Sequence, residues 1–172
     1  MTITIPDPAL VLLVGPAGAG KTTFAQAHFR PSEIVSSDAM REMLTDDAGD
    51  QSASAEAFQV LAIIINGRLR RRLLTVVDAT NLRASNRKRY SRLAARYGIP
   101  TVVIAFDLSD ATYRARNSER SDRVVPQYVL TDHAERMAGT LEDLRREGYA
   151  AVHVMRESMQ TDELELVRER RA

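Results

Sequence analysis

An α/β fold, built on a mainly parallel sheet with helices on both faces, is predicted by three observations on this 172-residue sequence. Short apolar, β-rich runs alternate with longer helical stretches. The first run passes through a glycine-rich turn straight into a helix. Helix-stop signals stand immediately before later strands. Alternation of this kind builds βαβ units, and helices on the crossovers cover both faces of the sheet. In chain order the strands are Leu10–Val14, Ile34–Ser36, Thr75–Asp78, Thr101–Phe106 and Ala151–Met155. The helices between them are Lys21–Phe29, Ala39–Leu44, Ala53–Arg72, Ala84–Tyr97, Asp110–Glu119 and Pro126–Glu147. Gly98 followed by Pro100 stops a helix and admits a strand. Gly148, after Arg145, Arg146 and Glu147, is a second cap, with its basic residues at the negative end of the helix dipole. A charged segment over Glu163–Arg171 reads as helical.

The bulk properties fit one domain. Hydrophobic content of 44% supports a substantial core, and a net charge of +1 leaves any nucleic-acid site to a local patch. With no cysteine there is no disulfide, Cys-zinc site or thiol catalysis. The segment Met1–Pro6 lacks the basic region and apolar core of a signal peptide, and no apolar run approaches ~20 residues. These features predict an intracellular, cytoplasmic, soluble domain without membrane contact.

The turn after the first strand reads Gly15-Pro16-Ala17-Gly18-Ala19-Gly20-Lys21-Thr22, which fits the phosphate-binding P-loop pattern. A buried strand, a glycine turn and a helix N-terminus aim backbone N–H groups and a positive dipole end at one point. Lys21 is expected to reach the β- and γ-phosphates of ATP, and the Thr22 hydroxyl to bind Mg²⁺, with Thr23 following in the same nucleotide-binding turn. The chain has two lysines, Lys21 and Lys88, beside 22 arginines, so a lysine at the required position is not a product of composition.

In parallel sheets ligands gather at the C-terminal ends of the strands. After the second strand come Ser36-Ser37-Asp38-Ala39-Met40-Arg41. Asp38 reads as a helix N-cap or as a general base beside the γ-phosphate. Arg41, three residues on, shares its helix face and reads as a clamp for an acceptor that carries phosphate, or as an ion-pair partner. The third strand ends in Asp78, which reads as an acid supporting Mg²⁺ directly or through water. Thr80 and Asn81 then face the acceptor; the alternative is a turn closed by Asp78 and Asn81.

Arg116, Arg120 and Arg123 are spaced i, i+4, i+7 and would share one helix face. Their mutual repulsion suits an arriving polyanion, as in an arginine-bearing helical lid, though Glu119 and Asp122 could neutralise them as a solvated face. Arg68 and Arg70–Arg72 suit the negative end of a helix dipole. Arg87, Lys88, Arg89, Arg92 and Arg96 could track a nucleic-acid backbone or form a solvated face. His28, His133 and His153 share no metal-ligand spacing and read as structural, and 5% aromatic residues weaken any base-stacking platform. The fold class thus narrows to a P-loop NTPase-type parallel sheet with an arginine-bearing lid.

The series GPAGAGKTTFAQAHF, IVSSDAMR, TVVDATN, RNSERSDR and LRREGY resembles the kinase module of bacterial polynucleotide kinase-phosphatase, an RNA end-healing enzyme, from about Leu10 to about Val167. The resemblance implies transfer of the ATP γ-phosphate to the 5′-OH end of RNA or DNA. It implies Lys21 and Thr22 on ATP·Mg²⁺, Asp38 as general base, Arg41 on the acceptor strand's phosphate, and Arg116, Arg120 and Arg123 in the lid. It also implies covalent phosphatase and ligase-like neighbours, with this chain an N-terminal module of a larger repair protein. Two other readings share the motifs: a small-molecule kinase of the gluconate-kinase, adenylylsulfate-kinase or zeta-toxin type, and a non-catalytic ATP-sensing module.

Overall fold

The structure is a computed structural model that describes residues 2–119, 125–156 and 164–170. Its main sheet contains β2 (Leu10–Val14), β3 (Ile34–Ser36), β4 (Thr75–Asp78), β5 (Thr101–Phe106) and β6 (Ala151–Met155), in the order β3-β4-β2-β5-β6. Every neighbouring pair is parallel. Strands β2, β4 and β5 are buried along their whole length, as central strands covered on both faces must be. This explains why they read as unbroken apolar runs.

Alternation along those strands divides the core in two. Leu10, Leu12, Val14, Val77 and Val103 point to one face, where they meet α3 (Ser54–Arg70), α4 (Ala84–Ala95) and α6 (Gln127–Arg146) through Leu61, Ile65, Tyr90, Ala94, Met137 and Leu144. Val11, Leu13, Val76, Val102 and Ile104 point to the other, against Phe24 of α1 (Lys21–His28) and Tyr113 of α5 (Asp110–Ser118). This is the doubly covered sheet that the alternation of elements predicts.

Three features depart from the sequence reading. The charged tail is a strand, β7 (Glu165–Arg170), not a helix, and it pairs in parallel with an unanticipated N-terminal strand, β1 (Thr2–Asp7). Ile3 and Ile5 of β1 and Leu164 beside β7 are buried in the α1-side core. Leu164, Leu166 and Arg168 recur every second residue, which suits a strand with one covered face. Arg168 then reaches across to Glu33, donating to Oε1 and Oε2 at 2.9 Å each, while its guanidinium lies 5.5 Å over the Phe29 ring. Burial alone would raise the Glu33 pKa, but hydrogen bonds from Arg168 and Arg30 outweigh it and hold the carboxyl at about 2.

The helix after β3 also begins earlier than expected. In α2 (Ser37–Thr45) the cap is Ser36, whose Oγ accepts the Ala39 N–H at 3.4 Å, so Asp38 lies within the first turn.

Candidate active site

The P-loop leaves the C-terminal end of β2 and closes onto the start of α1. Its first residue is tied to the loop after β4, because the Gly15 N–H donates to the Thr80 carbonyl at 3.0 Å. Gly18 has φ +79°, and a Cβ there would lie 2.7 Å from the Tyr113 carbonyl oxygen of α5. Gly20 caps α1 with φ +86°. A side chain at either position would be strained, and at Gly18 it would also collide with backbone.

Lys21 is the first residue of α1 and is buried. Its ammonium donates to the carbonyls of Gly15 at 2.9 Å and Pro16 at 2.7 Å, which holds it over its own loop. The Thr22 hydroxyl donates to Asp78 Oδ2 at 2.8 Å, joining α1 to the end of β4. A hydroxyl and a carboxylate from two elements form a hard-oxygen set that suits Mg²⁺, which commonly takes one or two protein oxygens and completes its shell with phosphate and water. Among the described residues no cluster of three or more His, Cys, Asp or Glu could hold a metal ion.

Asp38 and Arg41 form an ion pair on α2, and both line the same cleft as the P-loop. The Arg41 side chain is only 6% exposed, whereas that of Asp38 is 47% exposed. Arg41 Nε also donates to the Ala48 carbonyl at 2.9 Å, so its guanidinium is fixed between a loop and the carboxylate. From α5, Arg116 Nη1 reaches the Ala19 carbonyl at 3.4 Å. On either side of residues 120–124, Asn117 and Val125 exchange two hydrogen bonds, at 3.0 and 2.9 Å. The cleft encloses about 1620 Å³ and runs from the P-loop past α2 to Arg83, Tyr128 and Arg136.

A family model described as an AAA domain matches residues 10–144, most of the chain. The chain belongs to that family. Solved structures agree with its P-loop kinase-like fold. One chain of the Pnkp1/Rnl/Hen1 RNA repair complex matches at TM-score 0.69 and 23% identity, over 81% of this chain and 47% of that one. The present chain thus spans about half the length of that relative. A gluconokinase from Sinorhizobium meliloti 1021 matches at TM-score 0.57 and 21% identity, over 92% and 88% of the two chains. The Mycobacterium tuberculosis APS kinase CysC, in complex with AMPPNP and APS, matches at 0.57 and 16%, over 92% and 94%. No curated protein matches by sequence. A P-loop kinase fold carries ATP binding with it, and among the described residues no helix is long and apolar enough to cross a membrane.

Within this AAA-domain chain, residues 17–23, Asp38, Arg41, Asp78, Thr80 and Arg116 line one cleft. Asn81 does not. It is 1% exposed, and its Nδ2 donates to the Leu13 carbonyl at 2.7 Å, which braces β2 rather than facing an acceptor. Arg120 and Arg123 lie outside the described residues. Arg87, read from sequence with the basic helix face, is buried and paired to both carboxylate oxygens of Glu147.

Sequence reasoning missed His133. Its Nδ1 accepts the P-loop Ala17 N–H at a long 3.5 Å. Burial first, then the Lys21 charge, push its pKa below the ordinary histidine value. A signal was present: Leu130, His133, Met137, Thr140 and Leu144 recur at the spacing of a packed helix seam, so His133 belongs to the inward face of α6. Tyr128, 76% exposed at the cleft rim, was also passed over.

Proposed function

We propose that this chain is a polynucleotide 5′-hydroxyl kinase, transferring the γ-phosphate of ATP to the 5′-OH end of RNA or DNA. The observation that carries the reading is the placement of Asp38, half exposed and oriented by Arg41, in one cleft with the P-loop and its Lys21. The acceptor hydroxyl oxygen attacks the γ-phosphorus, the bond to the β-phosphate bridging oxygen breaks, and Asp38 takes the hydroxyl proton. Lys21 and the loop N–H groups hold the β- and γ-phosphates, and Arg116, Arg120 and Arg123 steady the charge as it moves to the leaving diphosphate. Thr22 and Asp78 would hold Mg²⁺, which neutralises phosphate charge when bound. Arg41 orients Asp38 and meets the phosphate next to the acceptor nucleoside.

An acceptor as large as a strand end suits a long cleft whose rim bears Arg83, Arg136 and Tyr128. The likeness to a chain of an RNA repair complex supports the same reading. The whole chain then acts as one kinase module. A second reading, a small-molecule kinase, draws on the near full-length likeness to the gluconokinase and the APS kinase. Incubation with γ-labelled ATP and a panel of 5′-OH oligonucleotides, gluconate and adenylylsulfate separates them. Label on the oligonucleotide 5′ end alone is expected; label on a small acceptor with none on the oligonucleotide overturns the proposal.

A further inference from the structure

We propose that His133 is a ligand of the polyphosphate held in the P-loop, and that it takes up one proton from solvent as it engages. This rests on the reading of the loop as a nucleotide site. The Ala17 N–H belongs to the set that a P-loop directs at phosphate, and here its acceptor is the imidazole Nδ1. A phosphate oxygen that takes over this N–H leaves the Nδ1 lone pair facing an anion. Two acceptors in contact repel. Protonation of the ring converts Nδ1 from acceptor to donor and makes its bond to phosphate charge-assisted.

The surroundings set the direction. Burial disfavours the proton most, then Lys21 of α1; Asp132 of α6 favours it, and Arg136 of α6 adds a smaller opposing charge. Arg83, ahead of α4, bears on Asp132, which also pairs with Arg136 at 2.7 Å. Arg116 of α5 approaches the loop at Ala19, and Asp78 of β4 is bonded to Thr22. Burial and the Lys21 charge therefore favour a neutral ring, and several phosphate charges in contact with it oppose both. His28 packs on Phe24 with ring centroids 4.5 Å apart, and His153 lies in β6; neither lines the cleft.

With three histidines in the chain, proton NMR titration of their Cε1 resonances can follow each ring, with magnesium AMPPNP as the probe. The His133 midpoint is expected below 6.5 in the protein alone and at least about one pH unit higher with the probe, while His28 and His153 stay in place. Calorimetry supplies the second readout. Between the midpoint in the complex and the lower midpoint in the protein alone, probe affinity should rise as pH falls, by up to about tenfold per pH unit, and it should level off beyond both. His133→Asn keeps an acceptor for the Ala17 N–H but cannot charge, so that gain should vanish; the probe's own protonation is common to both proteins. Binding with an unmoved His133 midpoint, or with full pH dependence retained in His133→Asn, overturns the proposal and leaves the nucleotide site standing. No binding at all overturns both.

Discussion

Arg87 with Glu147 and Arg41 with Asp38 are both arginine–carboxylate pairs, yet their surroundings have little in common. The guanidinium of Arg87 is fully buried, donates to Glu147 Oε2 and Oε1 at 2.9 and 2.7 Å, and spends Nη1 on the carbonyls of Asn81 and Leu82 at 2.9 Å each. The Glu147 side chain is only 8% exposed, and the Tyr149 hydroxyl donates to it. Arg41 is buried too, but its partner Asp38 presents nearly half of its side chain to the cleft. The first pair is enclosed by protein on every side. The second holds a carboxylate that lines the same cleft as the phosphate loop and stays 47% exposed. Removing one partner of an enclosed pair harms folding, whereas a pair with one wet carboxylate can exchange a proton with a bound acceptor, which is the role proposed for Asp38.

Breaking the enclosed pair should have the largest effect. Arg87→Ala leaves Glu147 buried without its fork and two carbonyls without their donor, at a cost of about 3–5 kcal/mol. Because Thr80, next to Asn81, anchors Gly15, phosphate binding should weaken as well. Urea unfolding measures the stability, and a loss below about 1 kcal/mol would remove the contrast. Lys21→Ala also leaves two carbonyls, those of Gly15 and Pro16, without their donor and should cost about 1–3 kcal/mol of stability, but it should reduce phosphate transfer a hundredfold or more, since its charge meets the γ-phosphate only in the reacting complex. Parental turnover in that variant would sink the assignment of the loop.

The Glu33 cluster sharpens the structural side through pH. Glu33 sits at about 2 in the folded chain against an ordinary 4.5, so its contribution is complete above about 4.5 and is lost as pH falls toward 2. Screening at exposed Arg30 trims the effect to roughly 2 kcal/mol. The fall in urea midpoint from pH 7 to about pH 3 should be smaller in Glu33→Gln than in the parent, with other lowered carboxylates such as Glu147 contributing equally to both; equal acid losses would show that the β7 clasp is not linked to this proton. Smallest of all should be Arg41→Lys. It keeps the charge but loses the fork, and should lower acceptor use about tenfold with unfolding unchanged. A large stability loss would move Arg41 to the enclosed class.

The central sheet and the P-loop were legible because their signals are local. Strands buried on both faces are apolar throughout, and the loop's glycines precede Lys21 within a few residues. The cleft positions of Asp38 and Asp78 followed from their places at strand ends. What stayed hidden depends on partners far along the chain. Arg87 looks like any basic residue on a polar helix until Glu147, 60 residues away, encloses it. Asn81 turns inward because the Leu13 carbonyl needs a donor, and β7 becomes a strand because β1 pairs with it. His133 could have been found from the polar positions in the α6 seam.

Asp38→Asn is the most direct trial of the account. The amide keeps the size and polarity of the side chain but cannot take the acceptor's proton. Binding of magnesium AMPPNP and single-turnover transfer from γ-labelled ATP to a 5′-OH oligonucleotide should be measured on the same preparations. Parental binding of the analogue and a loss of transfer of about a hundredfold or more are expected. Transfer to the oligonucleotide at the parental rate, with analogue binding intact, would contradict the role of Asp38.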